Sequence, residues 1–338
     1  MPRFLFLSLV AVYFAAGKDC NIYSCVPSNV TIPSGDCIRQ IGDNYYLKPC
    51  VNQTCDTSSG SCVPKQKTTQ KAYPGEFCTS NSTCKYGTCV KFGKKYKCQS
   101  KDQGEDCSVH EECNPGLMCA ANDTCQPQIA IGKSGCRDKY DCVNNAQCNF
   151  TRGVSDGLCV ELMSGGIGDG VSDCVASSSQ VCSSGVCEAT GIFGSFGICI
   201  KPFRSKVSNP NMCTDDTQCI GTNGKDDVIG TCRCGYNEQG FAYCEAFPGD
   251  FEGTNYLSTW YYALGDSQGE CNTKRRDKTG CLEVIDWVEE VTQATFMFEN
   301  YPWIVNNDYC VKQIYTNEYW SSALQSCLAA LALIAIYF

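Results

Sequence analysis

Cysteine is the residue type whose number and spacing could carry chemistry in this chain. The sequence has 31 cysteines in 338 residues, and an odd number of cysteines cannot all pair with one another. Thiols at this density form disulfides, bind metals or exchange electrons. No C-x-x-C motif occurs, which disfavours a thioredoxin-type redox pair and the usual paired-cysteine zinc sites. Disulfide bonding is therefore the chemistry that we expect of these residues.

The cysteines recur in units of four along the middle of the chain. The shared form is C-x5-C-x4 or 5-C, with seven residues in the first gap of the unit that begins at Cys174, followed by a variable gap to a fourth cysteine. It restarts every 29 to 39 residues. In four complete units we expect disulfides among Cys78, Cys84, Cys89, Cys98, Cys107, Cys113, Cys119, Cys125, Cys136, Cys142, Cys148, Cys159, Cys174, Cys182, Cys187 and Cys199. A fifth unit begins with Cys213 and Cys219 and finishes with Cys232, Cys234 and Cys244. Four cysteines allow three connectivities, so the pairing within a unit stays open.

The residues between the cysteines indicate which elements must hold them. Segments between the third and fourth cysteines, such as CVKFGKKYKC, place a glycine-containing turn between two short extended runs, which predicts a hairpin. Units of about 30 residues bury little apolar surface, and disulfides substitute for the missing core. We therefore expect a small disulfide-rich fold of short β-hairpins and loops in tandem repeats, with a smaller helical, Trp-rich C-terminal region.

Composition divides the rest of the chain. The first residues, MPRFLFLSLVAVYFAAG, combine one arginine, an apolar run and small residues before a cut, which is typical of a secretory signal peptide. Six cysteines precede the repeats as a divergent group, namely Cys20, Cys25, Cys37, Cys50, Cys55 and Cys62. The predicted organisation is a signal peptide at 1–17, an N-terminal six-cysteine module at 18–64, a polar linker at 65–75, the tandem repeats at 76–244, a membrane-proximal helical region at 245–320 and a hydrophobic C-terminal segment at 321–338.

The region after Cys244 differs from the repeats, because all four tryptophans fall there and cysteines become sparse. TNYLSTWYYALGD places apolar residues at helical spacing, with Gly265 near the expected helix end. CLEVIDWVEEVTQATFMFENYP places apolar residues on one helical stripe that stops ahead of Pro302. We interpret the stripe as core packing between two helices, and a partner-binding groove is the alternative.

Other reactive residue types are scarce. The one histidine, His110 in SVHEEC, is interpreted as a solvated loop residue, not as a catalytic group or a zinc ligand. The basic run of Lys274, Arg275, Arg276 and Lys278 is likewise interpreted as a solvated loop. The net charge of −9 argues against a nucleic-acid partner, since phosphate binding needs clustered Lys and Arg. We expect no enzyme activity, no metal and no cofactor.

Modification signals fit a secretory route. The predicted N-glycosylation sites are the Asn-x-Thr sequons at Asn29, Asn52, Asn81, Asn122 and Asn149. The segment SSALQSCLAALALIAIYF carries no charge and matches a GPI-attachment signal, with Ser321 as the predicted lipid-attachment residue. Cleavage there would remove Cys327 and leave an even number of cysteines. A short single-pass membrane segment is the alternative.

The repeats resemble a known class of cysteine-rich region. Their spacing and the pieces GEFC, GEDC and NPGLMC resemble the Dickkopf N-terminal type, and look closest to tandem versions in cysteine-rich GPI-anchored surface proteins of ciliates. The similarity covers about residues 78 to 244. It implies a disulfide-rich fold and an extracellular location. In animal Dickkopf proteins such a region belongs to secreted Wnt antagonists, and several tandem units with a hydrophobic C-terminus depart from that pattern.

These features predict a non-enzymatic, cysteine-rich, glycosylated protein on the cell surface, acting in recognition, adhesion or as a protective coat. The expected partners are an extracellular protein or glycan and, through the C-terminal lipid anchor, the outer leaflet of the membrane. A secreted binding module, such as a ligand antagonist or a protease inhibitor, is the alternative. An enzyme in the tryptophan-rich part is a third hypothesis, and it would need convergent polar groups that the sequence does not reveal.

Overall fold

The computed structural model describes residues 20–51, 53–64, 71–151, 156–175, 178–190, 196–206 and 212–300, together with residues 310 and 314. The predicted signal peptide, most of the predicted linker and the hydrophobic segment 321–338 lie outside the described residues. The described chain begins with a three-stranded sheet of β1 (Ile22–Cys25), β2 (Ile38–Ile41) and β3 (Asn44–Leu47). Strand β3 lies in the centre, parallel to β1 and antiparallel to β2.

Six units of four cysteines share one construction, in which an antiparallel hairpin carries the third and fourth cysteines. The hairpins are β4 (Gln53–Asp56) with β5 (Ser61–Pro64), β6 (Thr88–Phe92) with β7 (Lys95–Gln99), β8 (Leu117–Cys119) with β9 (Cys125–Pro127), β11 (Ala146–Asn149) with β12 (Gly157–Glu161), β14 (Cys187–Ala189) with β15 (Gly197–Cys199), and β20 (Cys232–Cys234) with β21 (Ala242–Cys244). In every hairpin the two cysteines are direct cross-strand partners, from Cys55 opposite Cys62 to Cys232 opposite Cys244. The predicted fold class is confirmed.

Short strands extend some of these hairpins. The repeat units are numbered from the one that begins at Cys78. Three short strands add a third strand to the sheets of the third, fourth and fifth units: β10 (Ser134–Cys136), β13 (Gly170–Val171) and β17 (Met212–Cys213). A separate sheet, with the strand order β16-β18-β19, is formed by β16 (Arg204–Ser205), β18 (Ile220–Thr222) and β19 (Asp227–Ile229). All of these strands are two to three residues long, so disulfides and turns, not long ladders, hold the units.

One disulfide pattern recurs in all six units, joining the first cysteine to the third and the second to the fourth. The pairs are Cys37–Cys55 and Cys50–Cys62, Cys78–Cys89 and Cys84–Cys98, Cys107–Cys119 and Cys113–Cys125, Cys136–Cys148 and Cys142–Cys159, Cys174–Cys187 and Cys182–Cys199, and Cys213–Cys232 and Cys219–Cys244. Cross-strand neighbours project from the same face of a hairpin, so the two bridges lie side by side. Most of these sulfurs are buried and form the small core of each unit.

The N-terminal cysteines divide into two groups. Four of the six form the N-terminal unit described above, whereas Cys20 bonds to Cys234 and Cys25 bonds to Cys310. These two bridges join residues separated by 214 and 285 positions. The start of the described chain is thereby fastened both to the fifth unit and to the C-terminal region.

Three helices follow the repeats: α1 (Phe251–Asp266), α2 (Thr279–Ile285) and α3 (Val288–Asn300). Asp250 caps α1 by accepting a hydrogen bond from the backbone N–H of Gly253. The apolar stripe does form a core, with Ala263, Leu282 and Val291 buried at its centre. The single helical run expected from Cys281 onward is wrong, because Asp286 adopts a left-handed conformation, with φ of 61°, between α2 and α3.

The helical hub, defined as residues 251–300, lies among the repeats. The first, second and third units reach it through hydrogen bonds and ion pairs. The fourth unit approaches so closely that a Cβ on Gly185 would lie 2.4 Å from Leu257, and the fifth packs Tyr243 against Phe296. The repeats therefore surround the helices.

Candidate functional site

The junction loop, residues 270–278, connects α1 to α2 and joins the hub to the repeats. Asn272 is fully buried, at 0% exposure. Its Nδ2 donates hydrogen bonds to the carbonyl oxygens of His110 and Cys113, both at 2.8 Å, and its Oδ1 accepts one from the backbone N–H of Lys274 at 2.9 Å. One side chain thus satisfies two carbonyls of the second unit and fixes the turn of its own loop.

The third unit is held in the same way. Thr273 Oγ1 donates to the carbonyl oxygen of Tyr140 at 2.8 Å, and Asn144 Nδ2 donates to Ser267 Oγ at 2.9 Å. The side chains of Thr273, Asn144 and Ser267 are buried. Because buried polar groups are costly unless paired, this network fixes where Tyr140 and its neighbours stand relative to α1.

His110 lies in this interface, and the solvated position expected for it is wrong. Its side chain is only 13% exposed. Its Nδ1 accepts a hydrogen bond from the backbone N–H of Cys119 at 3.1 Å, and its Nε2 lies 3.7 Å from Asp138. The pKa of Asp138 is lowered from its ordinary value to about 2, mainly by its side-chain interaction with His110. The local sequence SVHEEC contains none of the groups that contact the ring, since they come from Cys119 and from the third unit.

Two charged residues of the junction loop are paired with the first unit. Arg275 Nε lies 3.1 Å from Glu76 Oε1, and its guanidinium stacks 4.2 Å from the centre of the Tyr73 ring. Glu270 Oε2 accepts a hydrogen bond from Lys97 Nζ at 2.6 Å. The charged side chains of Arg275 and Glu270 are both paired with the first unit, so this part of the loop serves to hold that unit in place.

Arg276 is buried without such a match. Its residue is 6% exposed, and its Nη1 lies 3.5 Å from the carbonyl oxygen of Val143, which is a long hydrogen bond. Within the described part of the chain, no carboxylate oxygen lies within 4.0 Å of its guanidinium nitrogens, so Arg276 forms no ion pair there. Burial lowers the pKa of this guanidinium to about 10. The expectation of a solvated basic loop is therefore wrong for Arg276.

A cleft of about 280 Å³, which we call the hub cleft, opens between α1, the junction loop and the third and fourth units. Its aromatic wall comes from three residues of α1, namely Tyr256, Trp260 and Tyr261. Its polar rim consists of Lys139, Gln180, Arg276, Asp277 and Lys278. Tyr261 is held by donating a hydrogen bond to Glu161 at 2.7 Å.

The hub cleft is locally positive in an acidic protein. Its lining carries three cations and one carboxylate, although the whole chain has a net charge of −9. Lys139, Lys274 and Arg276 also surround the Tyr140 ring, at 5.1, 3.9 and 5.7 Å from its centre. With three cations against one carboxylate among its described lining residues, the cleft is suited to binding an anion.

The predicted glycosylation sites occupy different environments. Asn29, Asn81 and Asn122 are exposed, whereas Asn52 lies outside the described residues. Asn149 is half-buried, and its Nδ2 donates to the carbonyl oxygen of Gly170 at 3.1 Å while its Oδ1 accepts from Ser172 N. The amide of Asn149 therefore links the third unit to the fourth.

All sixteen predicted repeat cysteines occur in disulfides, and fifteen bridges are formed by the described cysteines. Groups of three sulfurs within 4.8 Å, such as Cys107, Cys113 and Cys125, arise because two bridges lie together in a unit. These sulfurs are covalently bonded and offer no thiolate to a metal. So many disulfides are typical of an extracellular or secretory-pathway protein.

The predicted lipid-attachment residue, Ser321, and the tail that contains Cys327 lie outside the described residues. None of the helices in the described ranges combines the length and the apolar character that crossing a membrane requires.

The sequence reasoning missed the residues that build the cleft. Arg276 and Lys278 were recognised only as a basic run, and Trp260 and Tyr261 only as core positions of a helix. One available signal was the placement of that run between Cys271 and Cys281, which form a bridge. The bridge joins cysteines ten positions apart and closes the loop that carries the basic run, beside aromatic residues. The loop is therefore held in place, and its charged side chains have fixed neighbours.

Comparisons with known proteins add one relative. The chain is similar to Protein psiI of Dictyostelium discoideum, with 25% identity over an alignment of 310 positions that covers 76% of this chain. The similarity covers 37% of that protein, so the chain spans about a third of its relative's length. No family model matches the chain, and no solved structure matches it.

Proposed function

We propose that the chain is a non-enzymatic, glycosylated cell-surface protein that acts in recognition, adhesion or as a protective coat. The observation that carries this proposal is the disulfide framework, in which five cross-linked units contact one helical hub and the N-terminal unit packs against Cys310 and Ile314. The bridges Cys20–Cys234 and Cys25–Cys310 close this arrangement. Such a body keeps its shape outside the cell, where a thin apolar core alone would not hold it.

The hairpins supply surface for recognition. At the tip of the first unit, Phe92 is 62% exposed, and Tyr96 is exposed on the opposite face of the hairpin. Lys91 and Lys94 lie on the same hairpin and are also exposed. Exposed aromatic side chains beside cations are suited to an extracellular protein or glycan, and this supports a binding role.

We propose further that segment 321–338 directs attachment of a GPI anchor at Ser321. The test is to treat intact cells with a GPI-specific phospholipase and to follow the protein by surface labelling. Release of the protein, without Cys327 in its mature C-terminal peptide, would support the anchor. Retention of a chain that still contains Cys327 would instead identify a single-pass membrane protein. A control in which 321–338 is replaced by a spanning helix should stay on the cells.

The same experiment separates the surface protein from a secreted binding module. Protein recovered from the medium without lipid, and absent from the labelled surface, would overturn the surface proposal in favour of a secreted antagonist or inhibitor. Purely intracellular signal would contradict both. The resemblance to Dickkopf N-terminal regions stays a prediction and is not needed for this proposal.

A further inference from the structure

We propose that the hub cleft binds an acidic sugar, meaning a single pyranose ring that bears a carboxylate or a sulfate. This inference deepens the proposed function by naming a ligand class for recognition, and it rests on that function only for the extracellular source of the sugar. The groups that carry it are Arg276, Lys139 and Lys278 on one side and the aromatic residues of α1 on the other.

Arg276 provides the first argument. A guanidinium presents five N–H donors in a planar fork, and among the described residues Arg276 donates only the long hydrogen bond to Val143. A buried charge is costly unless it is paired. Because Arg276 is nine-tenths buried yet lines an open cleft, an oxyanion entering the cleft would supply the missing partner. Carboxylate and sulfate have the geometry that this fork binds in a bidentate manner.

The rim supplies the second argument. Lys139 and Lys278 line the cleft with Arg276, and Asp277 is the only carboxylate among the lining residues. Lys278 Nζ lies 3.4 Å from Asp277 Oδ2, so one cation is partly matched. The surplus of positive charge attracts anions at low ionic strength and is screened by salt.

The aromatic wall selects for a ring, not for a bare anion. Tyr256 and Trp260 are one helical turn apart on α1, and their rings meet edge to face, 6.4 Å apart with an interplanar angle of 77°. One face of Tyr256 is stacked on Phe298 at 4.8 Å, so the wall offers its other face and the Trp260 ring. Flat aromatic faces pack against the apolar C–H face of a pyranose, while Gln180 and Asp277 at the rim offer partners for hydroxyl groups. The volume of about 280 Å³ is small among ligand pockets and holds one sugar ring, so the ligand is a terminal residue or a monosaccharide.

The test is a calorimetric titration of the purified full chain, secreted from cells and with its disulfides intact. The probes are methyl β-glucuronide, N-acetylneuraminic acid and glucose 6-sulfate, with neutral methyl β-glucoside and sodium sulfate as references. We expect at least one acidic sugar to bind at least about tenfold more tightly than either reference, since one charge-assisted pair is worth at least that factor. Equal binding of sodium sulfate and all acidic sugars would reduce the cleft to a simple anion site and overturn the proposal, as would no binding.

Variants locate the binding. The exchange Lys139→Gln with Lys278→Gln removes two rim cations, and we expect the affinity for the acidic sugar to fall about tenfold. The matched control, Lys91→Gln with Lys94→Gln on the exposed hairpin tip, removes the same charge and should leave the affinity unchanged. Arg276→Lys keeps the charge but loses the planar fork, so it should weaken binding without unfolding the hub. Loss of affinity in the control, or unchanged affinity in the rim variant, would overturn the assignment.

This experiment is separate from the test of cell-surface location. Purified protein that binds acidic sugars but is found only in the medium would retain the cleft assignment and remove the surface proposal. Protein that phospholipase releases from cells but that binds none of the sugars would retain the surface proposal and remove the cleft assignment.

Discussion

Asn272 Nδ2 lies 2.8 Å from the carbonyl oxygen of Cys113, although 159 residues separate the two in sequence. The amide belongs to the junction loop, and the carbonyl belongs to the second cysteine of the second unit. Cys113 is itself bridged to Cys125, so this hydrogen bond connects a hub residue directly to a cross-linked unit. The hub and the repeats are therefore joined by specific polar contacts, with apolar packing confined to smaller patches.

Replacing Asn272 should weaken this junction. In Asn272→Ala the buried carbonyl of Cys113 loses this donor, whereas the carbonyl of His110 still accepts from the backbone N–H of Cys113. An unpaired buried group costs about 1–3 kcal/mol, and we expect the free energy of unfolding to fall by about that amount. Guanidinium unfolding followed by tryptophan fluorescence measures the change, since all four tryptophans lie after residue 250.

The control for this variant is Asn255→Ala on the exposed surface of α1. Surface substitutions of this kind usually change stability by less than about 0.5 kcal/mol. Equal destabilisation by the two variants would show that the Asn272 contacts contribute nothing specific.

Disulfide mapping should return the same pattern in every unit. Non-reducing proteolysis and mass spectrometry are expected to find the first cysteine joined to the third and the second to the fourth, together with a peptide that joins Cys20 to Cys234. In the first unit the structure has the bridges Cys78–Cys89 and Cys84–Cys98. Recovery of Cys89 joined to Cys98, its cross-strand neighbour, would contradict the arrangement.

The long-range bridge should stabilise the whole body and leave the individual units intact. Replacing Cys20 and Cys234 together by serine removes a constraint on the unfolded chain, and loss of a native disulfide typically costs about 2–5 kcal/mol. We expect a lower thermal midpoint with unchanged bridges inside the fifth unit, Cys213–Cys232 and Cys219–Cys244. An unchanged midpoint, or reshuffled bridges in that unit, would argue against this role.

Asp138 should make stability depend on pH in the acidic range. Its pKa is lowered to about 2, first by His110 and also by the backbone N–H of Tyr140. A carboxyl group whose pKa is lowered by folding stabilises the folded state at pH values above its ordinary pKa of about 4. This stabilisation is lost as the pH falls through about 2. Because Asp138 is half-exposed, solvent screening reduces the contribution to about 1 kcal/mol.

Unfolding measurements on Asp138→Asn at several pH values test this contribution. The variant keeps an oxygen acceptor for Tyr140 N, and it should be less stable than the wild type at pH about 6 but equal to it near pH 2. His110→Gln should reduce the same difference. A difference between wild type and Asp138→Asn that stays constant across this range would exclude the carboxylate as its source.

Glycan occupancy should follow exposure. Asn29, Asn81 and Asn122 present exposed side chains, whereas the Asn149 amide is engaged by Gly170 and Ser172. A glycan on Asn149 would have to displace the hydrogen bond from its Nδ2. Glycopeptide mass spectrometry should therefore find lower occupancy at Asn149 than at Asn29, and higher occupancy at Asn149 would contradict the arrangement.

The sequence by itself determined the local features of this protein. The spacing of the cysteines defined the repeats, the glycine-containing turns between the third and fourth cysteines predicted the hairpins, and helical periodicity placed the helices after residue 250. These features follow from neighbours a few residues apart, because turn propensity and apolar periodicity act locally. The helix break at Asp286 could not be predicted from this pattern, because the apolar stripe continues across it.

The tertiary structure alone decided which cysteines pair, where the helices lie and what surrounds each polar residue. Cys50 follows Cys37 by a longer gap than in the repeats, so the unit that it belongs to became visible only through its bridges. The ring of His110 is buried by residues of the neighbouring third unit, and Arg276 contacts Val143, 133 positions away in the chain. Such contacts depend on how the cross-linked repeat units pack against one hub, and no local propensity encodes that arrangement.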